Sequence, residues 1–221
     1  MTHNFDVEGL TAPFTLEQAQ AAADGWGSNC GPGALAAIMG MTLDEVRPHM
    51  GDFEQKHYTN PSLMNFALRS IGREWKKVGA SWPLYGLARI QWEGPWTAPG
   101  VPMKARYRHT HWVGCYRRER TSRREARHFV FDINAMTVGG WLPVEVWAQQ
   151  LVPWILQHCV PRADGRWHVT HGIEVDHPAL ALAGRGTEIR ALNAVALDQL
   201  SSNLATVGAV DAPGAGAHIP A

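Results

Sequence analysis

The segment from Trp26 to Ile38 constrains this chain more than any other stretch of its 221 residues. It reads Trp-Gly-Ser-Asn-Cys-Gly-Pro-Gly-Ala-Leu-Ala-Ala-Ile, so a glycine-bearing loop leads into an apolar, alanine-rich run. Pro32 follows Cys30 closely, at a position that the first turn of a helix tolerates well. The segment therefore predicts a helix over residues 30–39 with a cysteine at its N-terminus.

A cysteine at a helix N-terminus is a candidate for a reactive thiol. The N-terminus carries partial positive charge and unpaired N–H groups, so it stabilises an anion there. A thiol in that environment ionises more readily than a free one, and the thiolate is the nucleophile. Cys30 is therefore the candidate nucleophile of a hydrolase or an acyl-transfer enzyme, provided that a base lies beside it.

Two histidines at the start of a later predicted strand are candidates for that base. The spacing of His109 and His111 puts both side chains on one face of the strand. His111 leads into the apolar pair Trp112-Val113, which is typical of a strand that enters the core. We therefore expect His111 to be the base and His109 to be an ordinary strand residue.

The next predicted strand, residues 128–131, ends at Asp132. An antiparallel neighbour can bring the Asp132 side chain against the His111 ring, where it would fix the tautomer and hold the imidazole toward the cysteine. Asn134 shares the parity of Asp132 along the chain and is the reserve candidate for this role. Asp132 can also be a turn-forming residue that follows a strand.

The pattern of elements predicts an α+β fold, because helices come first and strands later. The predicted helices cover residues 14–23, 30–39, 42–46, 60–72 and 143–159, and the predicted strands cover 87–92, 110–116, 128–131 and 167–175. We expect one domain over residues 1–177. An Ala- and Gly-rich extension follows over 178–221, in which residues 187–207 fit one helix.

Composition excludes several classes of protein. The 20 Lys and Arg balance the 20 Asp and Glu, so nothing indicates a nucleic-acid partner. The three cysteines cannot all pair, which argues against a disulfide framework and fits a reducing compartment. Neither a signal peptide nor a membrane-spanning run is visible, so we expect a cytoplasmic protein; a virion protein, or one exported by another route, would look the same. The oligomeric state stays open.

The order of these motifs resembles that of papain-like cysteine peptidases, and most closely that of the bacteriocin-processing, double-glycine peptidases. The similar pieces are Asn29-Cys30-Gly31-Pro32-Gly33-Ala34-Leu35, Thr59-Asn60-Pro61-Ser62-Leu63, His111-Trp112-Val113, Val130-Phe131-Asp132, and Gly139-Gly140-Trp141 with Val144-Glu145-Val146-Trp147. The resemblance covers roughly residues 14–160. It implies a papain-like fold, a catalytic triad of Cys30, His111 and Asp132, a peptide or protein substrate, and no cofactor or metal.

One position departs from that family's pattern. The family usually carries a glutamine six residues before the cysteine, where its amide helps to hold the oxyanion, and Asp24 stands there in this chain. A carboxylate aimed at a developing oxyanion would repel it. Asp24 must then point elsewhere or be protonated, unless another donor serves. The Cys30 N–H and the Asn29 side chain are candidates, and the more distant Gln18 and Gln20 would need a different loop path.

Two alternative functions stay open from the sequence. The Asp24 substitution is compatible with a catalytically inactive binding or assembly module, including one associated with a phage. A metal-dependent hydrolase is the second alternative. Its possible ligands are His109, His111, Cys115, Asp132, His168 and His171, although none of them matches a tight metal-binding spacing.

Overall fold

The computed structural model describes residues 10–120, 122 and 125–176. The predicted C-terminal extension over 178–221, with its predicted helix over 187–207, lies outside the described residues. The helices are α1 (Leu16–Trp26), α2 (Cys30–Met39), α3 (Leu43–Val46), α4 (Phe53–Lys56), α5 (Pro61–Ser70), α6 (Met103–Arg106), α7 (Val144–Val146) and α8 (Val152–His158). The strands are β1 (Trp75–Gly79), β2 (Tyr85–Trp92), β3 (Thr110–Arg118), β4 (Arg127–Phe131), β5 (Trp141–Pro143) and β6 (Trp167–Val175).

The strands form one six-stranded antiparallel sheet in the order β1-β6-β2-β3-β4-β5. β2 lies at its centre and is buried along its whole length. The mixed α and β content with an antiparallel sheet confirms the coarse fold class expected from the sequence. The sheet is larger than predicted, because β1 and β5 were not foreseen.

The helices α1 to α5 cover one face of the sheet. Their buried side chains pack with those of the central strands in one apolar cluster, for example Leu35 of α2, Met64 of α5 and Trp112 of β3. Within this layer α2 is the innermost helix, since every residue from Gly31 to Met39 is buried. A helix that is apolar all round belongs in a core, so the sequence of α2 explains its position.

Capping residues set the ends of these helices. The Thr15 side chain accepts a hydrogen bond from the Gln18 N–H at the start of α1, which makes it the N-cap of that helix. α1 runs past its predicted end at residue 23 to Trp26, and its C-cap Gly27 has a φ of 70°. Glycine adopts this left-handed conformation without a Cβ penalty. The sharp stop at Gly27 sets the loop that delivers Cys30 to α2.

The second face of the sheet packs against α8. Val152 and Ile155 of that helix join a separate apolar cluster with residues of β2, β3 and β4. The helix predicted over 143–159 is present as three consecutive helical segments, α7, a wider π turn over Trp147–Leu151, and α8. Trp147 is fully buried at the start of that turn.

No helix in the described part of the chain is long and apolar enough to cross a membrane.

Candidate active site

The candidate site lies where β3 and β4 separate. β3 pairs with β2 from Thr110 onward, but its pairing with β4 begins only at Gly114, opposite Phe131. Among the described residues, 110–113 therefore pair with β2 on one side and have no strand partner on the side where β4 would lie. Beyond Phe131 the Asp132 N–H donates to the Gly140 carbonyl, so the chain turns away toward β5. The gap between the two strands is the place where the predicted catalytic side chains meet.

His111 and Asp132 are in direct contact across this gap. Nε2 of His111 lies 2.8 Å from Oδ2 of Asp132, and both residues are buried. Extending the register of the β3–β4 pair puts Asp132 opposite Val113, so His111 is its diagonal neighbour on the same face. The ring of Trp92 stacks on the imidazole, with centroids 5.9 Å apart and planes inclined by 27°. The imidazole is thus held on its edge and on its face.

Asp132 accepts further hydrogen bonds that fix its carboxylate. Nε1 of Trp147 donates to Oδ2 over 2.8 Å. The backbone N–H and the side-chain amide of Asn134 donate to Oδ1 over 2.9 and 3.0 Å. Asn134, the reserve candidate, therefore contacts the carboxylate rather than the histidine. The tryptophan was not foreseen as a site residue, because its sequence context predicts only an apolar helix face.

Cys30 completes the contact chain from the helical side. It is the first residue of α2, it is partly exposed, and its side chain hydrogen-bonds His111. Since Nε2 of the imidazole faces Asp132, the ring nitrogen left for the sulfur is Nδ1. The backbone N–H of Trp112 also donates to the sulfur. The three residues that the sequence singled out are thus brought together in the order cysteine, histidine, aspartate.

The electrostatics of these contacts favour a charged pair. Burial raises the pKa of Cys30, but the hydrogen bond and positive charge of His111 and the Trp112 N–H lower it, and the net pKa lies below its usual 9.0. Burial lowers the pKa of His111, yet Asp132 and Cys30 raise it well above its usual 6.5. Burial also opposes ionisation of Asp132, but His111, Trp147 and Asn134 hold its pKa below its usual 3.8. Thiolate, imidazolium and carboxylate are the states that these partners support.

Close packing holds the N-terminus of α2 in place. A Cβ atom added to Gly31 would lie 2.1 Å from Oγ1 of Thr59, so only glycine fits at this position. Nε1 of Trp112 donates to the Thr59 carbonyl over 2.8 Å, which ties the same loop to β3. The glycine after the cysteine therefore allows the helix to approach the strand that carries the histidine.

Asp24 does not face the sulfur. It lies within α1 on the exposed surface, and its Oδ1 accepts a hydrogen bond from Nε2 of Gln20 over 3.0 Å. Nδ2 of Asn29 donates to the Ala19 carbonyl, and the Gln18 side chain accepts from the Thr15 N–H. These four polar side chains (Gln18, Gln20, Asp24 and Asn29) are thus engaged in and beside α1.

Backbone donors stand closer to the sulfur. Cys30 and Gly31 occupy the first positions of α2, where N–H groups have no acceptor inside the helix. Pro32 follows and contributes no N–H. These two backbone groups and the helix dipole supply positive potential beside the thiol. The sequence had foreseen the first of them as an oxyanion donor.

The remaining titratable candidates lie apart from this chain of contacts. His109 packs against Trp96, with ring centroids 4.2 Å apart. Nδ1 of His168 contacts Glu93 on the exposed surface. Cys115 is buried in β3, and burial raises its pKa well above the usual 9.0. Within residues 10–120, 122 and 125–176, no three His, Cys, Asp or Glu side chains are grouped so that they could hold a metal ion.

No protein-family model matches this chain, and no curated protein and no solved structure matches it either.

Proposed function

We propose that this chain is a cysteine peptidase-like hydrolase that cleaves a peptide or other amide bond through a thioester acyl-enzyme. The observation that carries the proposal is the contact chain Cys30–His111–Asp132, in which the carboxylate is fully buried and Cys30 is a half-buried residue at the start of α2. A cysteine that served only packing would have no need of a paired imidazole with a raised pKa. The proposed substrate is a peptide or a protein.

In the first half of the proposed reaction the Cys30 thiolate attacks the scissile carbonyl carbon. A C–S bond forms and the carbonyl oxygen takes up the negative charge, next to the backbone N–H groups of Cys30 and Gly31. His111, protonated at Nδ1, then gives that proton to the leaving nitrogen as the C–N bond breaks. The amine product departs, and the acyl group stays on the sulfur as a thioester.

In the second half a water molecule replaces the amine. The neutral imidazole takes a proton from the water as its oxygen attacks the thioester carbon, and the C–S bond breaks. The acid product leaves, and the thiolate–imidazolium pair is restored. Throughout, Asp132 accepts the hydrogen bond from Nε2 of His111, which keeps the other ring nitrogen toward the sulfur.

The same features support the finer proposal of a papain-like fold related to the bacteriocin-processing peptidases. A cysteine at the start of an innermost helix, a histidine at the start of a strand and an aspartate after the next strand occur here in that family's order. The departure at Asp24 does not weaken the chemistry, since that carboxylate points toward Gln20 and away from the sulfur.

The experiment is peptide hydrolysis with matched cysteine variants. Wild type, Cys30→Ala and Cys159→Ala are incubated near neutral pH with a fluorogenic peptide mixture that includes glycine-rich sequences. Cys159 is exposed, and His111 acts on it only through its charge and not through a hydrogen bond, so it controls for the loss of a thiol as such. We expect hydrolysis by wild type and Cys159→Ala, and none by a folded Cys30→Ala. A thioester adduct on Cys30, seen as a mass shift in quenched samples, would identify the intermediate.

Three results would contradict the proposal. Hydrolysis that survives in Cys30→Ala would refute the nucleophile. Absence of hydrolysis together with a native Cys30 that resists thiol-reactive peptide probes would instead favour an inactive binding or assembly module. One tightly held zinc ion per chain in the purified protein would point to a metal-dependent hydrolase.

A further inference from the structure

Arg89 is a buried cation outside the proposed catalytic triad. It sits on the central strand β2 and is only 7% exposed. Its Nη2 donates one hydrogen bond to Oγ1 of Thr110, and its guanidinium lies 5.4 Å from the ring centre of Tyr107. Its Nε is buried without a hydrogen-bond partner among the described residues. No carboxylate in the described part of the chain forms an ion pair with it.

A buried charge in this condition is costly. Taking a guanidinium out of water is unfavourable unless its donors are paired, and the Nε of this one is buried with no hydrogen-bond partner among the described residues. An arginine kept at such a cost suggests that the missing partner comes from outside the chain. The natural partner of the planar fork is a carboxylate, which it binds through two parallel hydrogen bonds.

A second polar side chain beside Arg89 is also unsatisfied. His171 on β6 lies directly opposite Arg89 in the β2–β6 register. Its Nδ1 is buried without a hydrogen-bond partner in the described structure. Burial, with the charges of Arg89 and Lys77, lowers the pKa of His171, so the neighbourhood is already rich in positive charge. Two adjacent strands thus present unpaired nitrogen atoms at one place on the sheet.

This place is next to the nucleophile. Arg89 pairs with Trp112 across β2 and β3, so their Cα atoms are about 5 Å apart. The backbone N–H of Trp112 donates to the Cys30 sulfur. Burial lowers the pKa of Arg89, and the negative charge of the Cys30 thiolate is among the causes that raise it, so sulfur and guanidinium are within electrostatic reach. The ring of Tyr107 packs on the guanidinium and is itself 41% exposed.

We propose that Arg89 binds a carboxylate of the substrate beside the scissile bond, so that the enzyme selects peptides with an acidic side chain or a free C-terminus at that position. The inference rests on the proposed function, since it names the substrate class of the same site. The Nε and Nη groups form the paired hydrogen bonds with the carboxylate, His171 contributes a further nitrogen, and the Tyr107 ring borders the entrance.

The experiment compares charged and neutral alkylating reagents at Cys30. The first pair is iodoacetate and iodoacetamide. The second is N-iodoacetylglycine and its amide, which resemble a free and a blocked C-terminus. The third is the α-amides of N-iodoacetylglutamate and N-iodoacetylglutamine, which present an acidic or a neutral side chain. The measured quantity is the rate ratio within each pair, divided by the same ratio for the urea-unfolded protein, so that changes in thiolate content cancel.

In wild type we expect the carboxylate reagent of at least one pair to be favoured by about 10- to 100-fold over the unfolded reference. Arg89→Gln should abolish that preference, and Arg89→Lys should keep only part of it, because an ammonium cannot bind a carboxylate bidentately. Lys104→Gln removes an exposed cation near Tyr107 and is the matched control that should keep the preference. The pair that shows the effect tells a free C-terminus from an acidic side chain.

Two results would overturn the inference: no preference for the carboxylate in any pair, or a preference that Arg89→Gln retains. An arginine that served only to stabilise the thiolate would give the second result, because both reagents of a pair would slow together. Circular dichroism and a melting curve check the fold of Arg89→Gln, which should melt no lower than wild type since an unpaired buried charge is removed.

If Cys30 fails to react even with the neutral reagents, the proposed function fails, and the subsite is judged by binding alone. Cys30→Ala protein is titrated calorimetrically with the α-amides of N-acetylglutamate and N-acetylglutamine, and with N-acetylglycine and its amide. Binding confined to the carboxylate forms and lost in the Arg89→Gln background would uphold the subsite. Equal binding of acid and amide, or no binding, would dismiss it.

Discussion

Replacing Asp132 by asparagine tests the electrostatic argument most directly. The Asp132 side chain is 0% exposed, and it accepts bonds from His111 and Trp147 at 2.8 Å and from Asn134 at 2.9 and 3.0 Å. Asparagine keeps the shape but loses the charge, and one acceptor oxygen becomes a donor amide. If the amide nitrogen takes the place of Oδ2, both His111 and Trp147 face an N–H group, and if it takes the place of Oδ1, both donors of Asn134 do.

The magnitude follows from the lost interaction. A hydrogen bond to a charged group contributes about 1.5–3 kcal/mol, which corresponds to roughly 10- to 100-fold in an equilibrium. Without the carboxylate, the charge and the hydrogen bond by which Asp132 raises the pKa of His111 are lost while burial still lowers it, so that pKa falls. The pKa of Cys30 then rises, because its lowering depends on the charge and the hydrogen bond of the imidazole. The thiolate population near neutral pH should fall by the same factor of roughly 10 to 100.

The assay is the rate of iodoacetamide labelling at Cys30, followed by peptide mass spectrometry as a function of pH. Wild type should label efficiently well below pH 9.0, the usual pKa of a thiol, since its folded pKa is lowered. The profile of Asp132→Asn should move to higher pH. Asp24→Asn makes the same exchange at an exposed carboxylate and should keep the wild-type profile. A folded Asp132→Asn protein with an unshifted profile would refute the claim that this carboxylate sustains the ion pair.

Two further predictions need only stability and labelling measurements. Native Cys159 is exposed, but desolvation raises its pKa, so it should alkylate more slowly near neutral pH than Cys30. Buried Cys115 should react only after unfolding. Labelling of either cysteine faster than Cys30 would contradict the assigned ionisation. Gly31→Ala should lower the free energy of unfolding in urea by about 1–3 kcal/mol through overpacking, because its new methyl carbon would lie 2.1 Å from a threonine hydroxyl oxygen. Gly25→Ala, at a helical site with nothing within 4 Å, should raise it by about 0.5–1 kcal/mol, and the opposite order would disprove the packing argument.

Local signals predicted the longer helices, because several of their ends are encoded in single residues, but α4 and α6 were not predicted and α1 runs past its predicted end at residue 23. Thr15 and Asn60 cap α1 and α5 through their own side chains, and Gly27 ends α1. The strands β1 and β5 carry no such signal. β1 is a half-exposed edge strand that contains two lysines, and β5 has only three residues, so neither shows an alternating apolar pattern. They exist because neighbouring strands supply their hydrogen bonds.

The candidate site was predictable where it depends on the alternation of side chains along a strand and on the order of the elements along the chain. Cys30 could be placed by its helix start, and His111 and Asp132 by their positions on neighbouring strands. Trp147 could not, since its hydrogen bond to Asp132 depends on a π turn that periodicity does not reveal. Arg89 did leave a signal in the sequence, because it is a charged residue in the middle of the mostly apolar run Tyr85–Trp92. A buried charge there needs an oppositely charged or hydrogen-bonding partner, either in the protein or in a ligand.

The site exists because the sheet stops pairing at one point. If β4 continued alongside β3 beyond Phe131, it would fill the gap that the imidazole now occupies. Instead the chain changes direction at Asp132, whose N–H donates to the Gly140 carbonyl. Asp132 therefore does not pair with β3, and its buried carboxylate accepts a hydrogen bond from His111. The start of α2 packs closely on Thr59, whose carbonyl is tied to β3 by Trp112, because Gly31 lacks a side chain. A strand ending, a turn and a glycine, each explicable alone, therefore combine to bring sulfur, imidazole and carboxylate together from distant parts of the chain.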